Sequence, residues 1–295
     1  MYVITGATGH TGKPLTHALL DSKKKVRIIV RDEEKAKELT DKGAILLKGD
    51  TSDLNFLNKA FEGATAVYAI IPLNFSASDY TEHQIKHADA IAKAIENQSV
   101  KYVVILSSIG AHMEKNSGVI LGLHYFEEKL KKIEGLNLLC LRPTYFMENL
   151  LNNAGMVKNM NMFGSPLRGD LAMPLIATKD ISAYASKRLL ALDFSGHNTQ
   201  YLLGARDYTM NEAAKILGNS VGKPDLNYVQ FPYEAAKKAM MEMGASESVA
   251  EMMNEFQQAV NEGHITSSFS RDEESTTLTT LEEFSAVFKQ VYNQI

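Results

Sequence analysis

The chain has 295 residues, 45% of them apolar, and its 31 basic and 35 acidic side chains leave a formal net charge of −4. This is enough apolar material for one large α/β domain with a smaller one appended, and it argues against disorder as the resting state. Charges of both signs are spread along the chain without a dominant basic stretch, so nucleic acid is not expected as a direct partner.

From the first residue, apolar runs of strand length alternate with longer amphipathic segments. "MYVITG" is followed by a helical pattern over 12–22, "KVRIIVR" by 33–42, "AILLKGD" by 53–62, "AVYAIIP" by 79–97 and "KYVVILSS" by 122–134, before the run "LNLLCLRP". Repeated β-then-α order predicts an α/β fold: a Rossmann-type doubly wound parallel sheet, with a ligand crevice at the C-terminal ends of its strands. After Pro143 the alternation weakens, and 152–163 with "GSPLRGD" reads as a loop-containing excursion above that crevice. A helix over 180–193 and a strand near 200–204 are expected to return to the main sheet, and helices dominate from 208 onward. Two capping boxes are expected, Thr209 with Glu212 and Thr280 with Glu283. The expected division is therefore a Rossmann-type domain of 1–144, joined by 178–205, and a smaller, mostly helical substrate-side domain of 145–177 and 206–295. The methionine-rich "AMMEMGASESVAEMM" reads either as core or lid packing or as a flexible apolar binding surface.

Cys140, the only cysteine, lies in an apolar run, which fits a buried strand thiol in a reducing cytoplasm. No charged and apolar leader precedes the first strand, and no apolar stretch approaches the roughly 20 residues of a membrane span. A cytoplasmic protein without membrane contact is expected. The eight histidines are read as giving no pair one turn apart on a helix, and with no cysteine cluster no metal site is expected.

The motif "TGATGHTG" opens the first strand-to-helix turn, with Pro14 near the start of the helix. Gly6 permits the tight turn, Gly9 lets the backbone approach a pyrophosphate, and Gly12 lets the helix pack on the strand, while Thr8, His10 and Thr11 complete the loop. The second strand ends "IIVRDEEK", placing Arg31 where an acidic residue would select NAD; a guanidinium there pairs with a 2′-phosphate, so NADP is the preferred cofactor and NAD the alternative. Asp32 is the counter-argument, and Lys35 reads as a second phosphate contact or a solvated helix charge. Asp50 and Thr51 at the third strand end are expected at the adenine edge, Ile71 and Pro72 at the fourth beside the ribose, and Ser107 and Ser108 at the fifth near the nicotinamide.

Together, "TGATGHTG", "VRD", "GD", "SS" and "LRPTYFMENL" resemble the NmrA-like branch of the atypical and extended short-chain dehydrogenases/reductases, over nearly the whole chain. The resemblance implies a Rossmann domain with a small C-terminal substrate domain, and either NAD(P)H-dependent quinone or azo-dye reduction or NAD(P) sensing without turnover. Carried over, the last segment adds Tyr145 and Phe146 to the cofactor contacts and points to Phe146, Glu148 and Asn149 on the substrate side. Hinge packing by Phe146 and helix capping by Asn149 are the alternative.

"LGLHYFEEKL" contains Tyr125 and Lys129 one helical turn apart, the arrangement of a tyrosine acid with a supporting lysine, and Ser108 would then orient the substrate oxygen. The spacing to "LRP", however, puts the family's lysine position on His124 and its tyrosine position on Ile120. Leu123, Phe126, Leu130 and Ile133 read as the buried stripe of this helix, and Lys129 sits with Glu127, Glu128, Lys131 and Lys132 in a solvated charge run. His124 is accordingly the first candidate for proton donor or ribose contact, with a structural histidine as the alternative. The readings carried forward are an NADPH-dependent reductase of a quinone-like or conjugated small molecule, an NADP-occupancy sensor acting through a protein partner, and a nucleotide-sugar epimerase or reductase. Oligomeric state is not legible in the sequence.

Overall fold

The computed structural model describes residues 1–266 and 269–295. The strands β1 (Tyr2–Thr5), β2 (Val26–Val30) and β3 (Ile45–Lys48) alternate with helices α1 (Gly12–Asp21) and α2 (Lys37–Asp41), the latter preceded by a 3₁₀ turn at Glu34–Ala36. Next come α3 (Leu54–Phe61), β4 (Ala66–Ala69), α4 (Tyr80–Asn97), β5 (Tyr102–Leu106), a 3₁₀ turn at Gly118–Ile120, α5 (Leu121–Lys131) and β6 (Asn137–Pro143). Every residue of β1 and β4 is buried, as expected of parallel strands covered on both faces.

The chain then leaves the sheet through β7 (Tyr145–Phe146), a 3₁₀ segment at Met147–Asn153, α6 (Ala154–Met160), β8 (Phe163–Ser165) and β9 (Met173–Ile176). The excursion contains a loop, at 166–172, and most of 152–163 is helical. It returns through α7 (Thr178–Ala191), packed on α1, and β10 (His197–Leu202), which pairs parallel with β6. The seven parallel strands run β10-β6-β5-β4-β1-β2-β3. Strand order reverses between β1 and β4, and a crevice opens at such a point.

The rest comprises β11 (Asp207–Tyr208), α8 (Met210–Ser220), β12 (Tyr228–Gln230), α9 (Tyr233–Glu242), α10 (Glu247–Asn261) and α11 (Leu281–Gln294). Strand β9 joins β7 and β11 in a three-stranded sheet, and β12 pairs with β8. Both expected capping boxes form: Thr209 Oγ1 and Thr280 Oγ1 accept the N–H groups of Glu212 (3.1 Å) and Glu283 (3.2 Å), whose carboxylates reach back to the cap N–H.

Two apolar clusters fill the two faces of the main sheet, and a third, from Ile109 and Met147 to Phe288, fills the later segments. In the methionine-rich stretch, Met240 and Met252 pack against Ala77, Tyr80 and Val249, whereas Met243 is 80% exposed, so core packing holds for some of these side chains and not for others. Cys140 is buried and free, and burial pushes its thiol pKa up. Among the described residues, no helix is long and apolar enough to cross a membrane, and no group of three His, Cys, Asp or Glu side chains is placed to hold a metal ion.

Candidate active site

The glycine-rich turn lies between β1 and α1, at the reversal of strand order. Gly6 adopts φ +63°, which favours glycine, and a Cβ on Gly12 would collide with the Gly6 carbonyl oxygen. Gly9 and His10 are exposed and Thr8 half-buried, so this part of the loop faces open space. No side chain caps α1, its first turn holds no acidic residue, and the N–H groups of Thr8, His10, Thr11 and Gly12 have no backbone acceptor among the described residues. Unpaired N–H groups at the positive end of a helix suit a pyrophosphate. Thr11 differs from its neighbours: its hydroxyl accepts from Tyr68 (3.2 Å) and its carbonyl from Ser182 of α7 (2.9 Å), so its buried side chain ties the loop from behind.

At the end of β2, Arg31 is exposed and makes no side-chain hydrogen bond or ion pair with any described residue. Three acidic residues nearby in the chain have partners of their own. Asp32 accepts from the Glu34 N–H (3.1 Å) and faces Lys35 (3.9 Å), Glu33 faces Lys48 (3.4 Å), and Glu38 pairs with Lys13 (2.6 Å). The guanidinium is thus without a partner among the described residues, whereas the Lys35 charge is partly answered by Asp32.

The following strand ends complete the crevice. Asp50 accepts the Ser52 N–H (2.7 Å), and Thr51 Oγ1 lies 2.9 Å from His87 Nδ1. Ile71 is buried, while the half-buried Pro72 carbonyl meets His83 Nε2 at 2.8 Å. The latter two partners reveal what sequence reasoning passed over: His83 and His87 are a pair one turn apart on α4. Their ring centroids are 4.5 Å apart, and His87 is only 5% exposed. Burial, aided by His83, pushes the His87 pKa down to about 4 against the pull of nearby Asp50.

Ser107 and Ser108 have different surroundings. Ser107 is buried and donates to Glu127 Oε1 (2.5 Å), while Ser108 is half-buried with a hydroxyl that bonds to no described residue. Glu127 does not belong to a solvated charge run: it is fully buried, held by Arg142 through Nε–Oε1 (2.9 Å) and Nη2–Oε2 (2.6 Å). Arg142 also donates to Tyr201 Oη (3.0 Å). Burial disfavours the Arg142 charge, but hydrogen bonding to and attraction by Glu127 outweigh it and raise its pKa.

Helix α5 carries the remaining candidates. His124 Nδ1 donates to the Ala111 carbonyl (2.9 Å), and the Ala111 N–H donates to the Ser108 carbonyl (3.2 Å), so Ser108 and His124 are joined through one turn. Since a carbonyl only accepts, the proton of the neutral ring sits on Nδ1 and Nε2 carries the lone pair. Tyr125 and Lys129 are not brought to this place. Both bind the same oxygen of Asp89 on α4, each at 2.8 Å, and Lys129 lines a groove of about 590 Å³ with Lys86, Asp89, Lys93 and Lys132. The hydrogen bond to Asp89, followed by burial, raises the Tyr125 pKa, the reverse of activation as an acid.

Tyr145 and Phe146 are half-buried on opposite faces of β7: Tyr145 packs on the third cluster, with burial raising its pKa, and Phe146 on the first. Asn149 is exposed and caps no helix. Glu148 is committed to the N-terminus of α7, where its carboxylate accepts from Thr178 Oγ1 (2.6 Å) and the Thr178 N–H (3.0 Å).

Comparison with known proteins agrees with this architecture. An NAD(P)H azoreductase from Xenophilus azovorans is 31% identical over 258 residues, 86% of this chain and 85% of that one. The structure of an NADPH-dependent quinone oxidoreductase from Escherichia coli complexed with NADPH superposes with a TM-score of 0.80 at 22% identity, covering 97% of this chain and 99% of that one. A nucleoside-diphosphate-sugar epimerase from Staphylococcus aureus reaches the same TM-score at 21% identity, covering 96% and 99%, so this likeness speaks to fold and not to activity. The model of the NmrA-like family matches residues 2–285, and with a relative above 30% identity across most of both chains, this chain belongs to that family.

Proposed function

We propose that the protein is an NADPH-dependent reductase of a quinone-like or conjugated azo-type small molecule. The observation that carries the cofactor half is the uncapped, acid-free N-terminus of α1 behind the exposed Gly9, with Arg31 as an unengaged cation at the next strand end. In this reading the loop from Gly6 to Gly12 holds the pyrophosphate, Arg31 the 2′-phosphate, Asp50 and Thr51 flank the adenine, and Ile71 and Pro72 the ribose. When bound, a reduced nicotinamide supplies hydride.

On the acceptor side, Ser108 offers a free hydroxyl, and His124, oriented by the Ala111 carbonyl, presents Nε2. To donate from Nε2 the ring must be protonated there, so the imidazolium is the competent acid. Phe146 and Asn149 are assigned to the acceptor pocket, with Glu148 holding α7 behind them. The loop after Pro72 exposes Leu73 and Phe75, an apolar lip suited to a flat aromatic acceptor. The 31% identity to an azoreductase supports the same class. An epimerase reading, which depends on Tyr125, loses that support because the tyrosine is tied to Asp89.

The test is loss of NADPH absorbance, with NADH in parallel, against a panel of quinones and azo dyes. Turnover above the uncatalysed rate is expected. Tight NADPH binding without consumption across the panel would favour the sensor reading, for which the engagement of Tyr125 and Lys129 by Asp89 is the supporting observation.

A further inference from the structure

Strands β3 and β4 are not neighbours in the sheet; β1 and β2 lie between them. Their C-terminal loops, Asp50–Thr51 and Ile71–Pro72, are nevertheless each held by one of two touching side chains on the first turns of α4. His83 Nε2 meets the Pro72 carbonyl at 2.8 Å, and one turn later His87 Nδ1 meets Thr51 Oγ1 at 2.9 Å with Asp50 Oδ1 at 3.8 Å. The rings touch edge to face at an interplanar angle of 63°, and Tyr80 stacks on His83 with ring centroids 6.0 Å apart. His-x-x-x-His on a helix is a metal-ligand spacing, but here one nitrogen of each ring is already engaged, by the Pro72 carbonyl and the Thr51 hydroxyl, and no third ligand is in place among the described residues.

We propose that His83 and His87 are positioning residues for the adenosine half of the crevice, a strut that fixes the distance between its two walls. This rests on the dinucleotide reading above. Packing alone would be served by leucine at either position. The two nitrogens aimed at loop atoms are what a strut requires, because hydrogen bonds fix the loops in direction as well as distance. Beside this strut Asp50, whose carboxylate is 59% exposed, is open to an adenine amine.

The experiment is calorimetric titration of the full chain with NADPH and with NADH, for the wild type, His87→Leu, His87→Asn and His83→Leu, with a thermal melt of each. Asparagine is the conservative variant, since its amide can still bond Thr51. We expect His87→Leu and His83→Leu to weaken both cofactors by the same factor, about tenfold, the loss of one well-made hydrogen bond. His87→Asn should recover to within about threefold, on the same scale of less than half that hydrogen bond. Folded leucine variants that bind both cofactors as the wild type does would overturn the strut, as would His87→Asn losing as much affinity as His87→Leu. A change confined to NADPH would also overturn it, since adenosine is common to both cofactors. Failure of the wild type to bind either cofactor would instead remove the dinucleotide reading, and the strut with it.

Discussion

Glu127 grips Arg142 with two parallel hydrogen bonds, of 2.9 and 2.6 Å, while lying wholly inside the protein. The pair joins α5 to the end of β6, and Ser107 joins both to the end of β5. Removing one partner strands the other's charge, so Glu127→Ala should cost about 3–5 kcal/mol of unfolding free energy. Urea denaturation of the two proteins measures it; a loss below about 1 kcal/mol, the range of an exposed pair, would contradict this account.

The glycines of the first turn should separate by phenotype. Gly12→Ala places a methyl against the Gly6 carbonyl and is expected to lower the melting temperature sharply, because backbone must shift. At Gly9 a Cβ has only that carbonyl nearby, at 3.3 Å, so Gly9→Ala should fold nearly as the wild type and lose NADPH affinity. Melts and fluorescence titration of both variants check the contrast.

Arg31→Ala should weaken NADPH by about tenfold to a hundredfold, as expected for one charge-assisted pair, and leave NADH nearly unchanged. Lys35→Ala should do little to either, since that lysine is exposed and faces Asp32. Equal losses for both cofactors in Arg31→Ala would show that it does not read the 2′-phosphate.

If His124 supplies the proton, His124→Gln should lower turnover at saturating NADPH by about a hundredfold or more. Tyr125→Phe should retain turnover because its hydroxyl serves Asp89. Steady-state rates of both variants with one quinone separate the two, and a dead Tyr125→Phe would return the tyrosine to the reaction.

Stability should carry the signature of His87. Its pKa is pushed down to about 4 in the folded protein, so between the ordinary value near 6.5 and about 4 only the unfolded chain takes up this proton. Stability attributable to His87 is full above that window and declines as pH falls through it, by roughly 3 kcal/mol at about 1.4 kcal/mol per unit. His87→Asn should therefore lose less stability than the wild type between pH 7 and pH 4; identical slopes by urea denaturation would refute it.

What could be read beforehand was what is local. Both capping boxes depend on residues three apart, and the alternation up to Pro143 depends on periodicity, so each appeared where expected. In sequence Glu127 looks like a surface charge because its neighbours Glu128, Lys131 and Lys132 are charged, while the arginine that makes its burial tolerable lies on β6. The short elements from Met147 to Ser165 were hidden because they are held by distant contacts, such as Asn153 accepting the Gly164 N–H and β8 pairing with β12. The His83–His87 spacing is local and present in the sequence, but its meaning requires the fold, since Thr51 and Pro72 follow strands that are not adjacent.

The position of β10 bears on how the chain acquires its shape during synthesis. Strand β6 is finished at Pro143, but the partner that covers its outer edge ends at Leu202, after the whole excursion through α6, β8 and β9. Until then a growing chain presents an apolar strand with an open row of hydrogen-bonding groups, a template for pairing with other chains. Closing the sheet late also makes the contact a long-range one, which slows folding. A fragment that stops near residue 150 is thus expected to aggregate, even though it contains the entire glycine-rich turn and six of the seven strands.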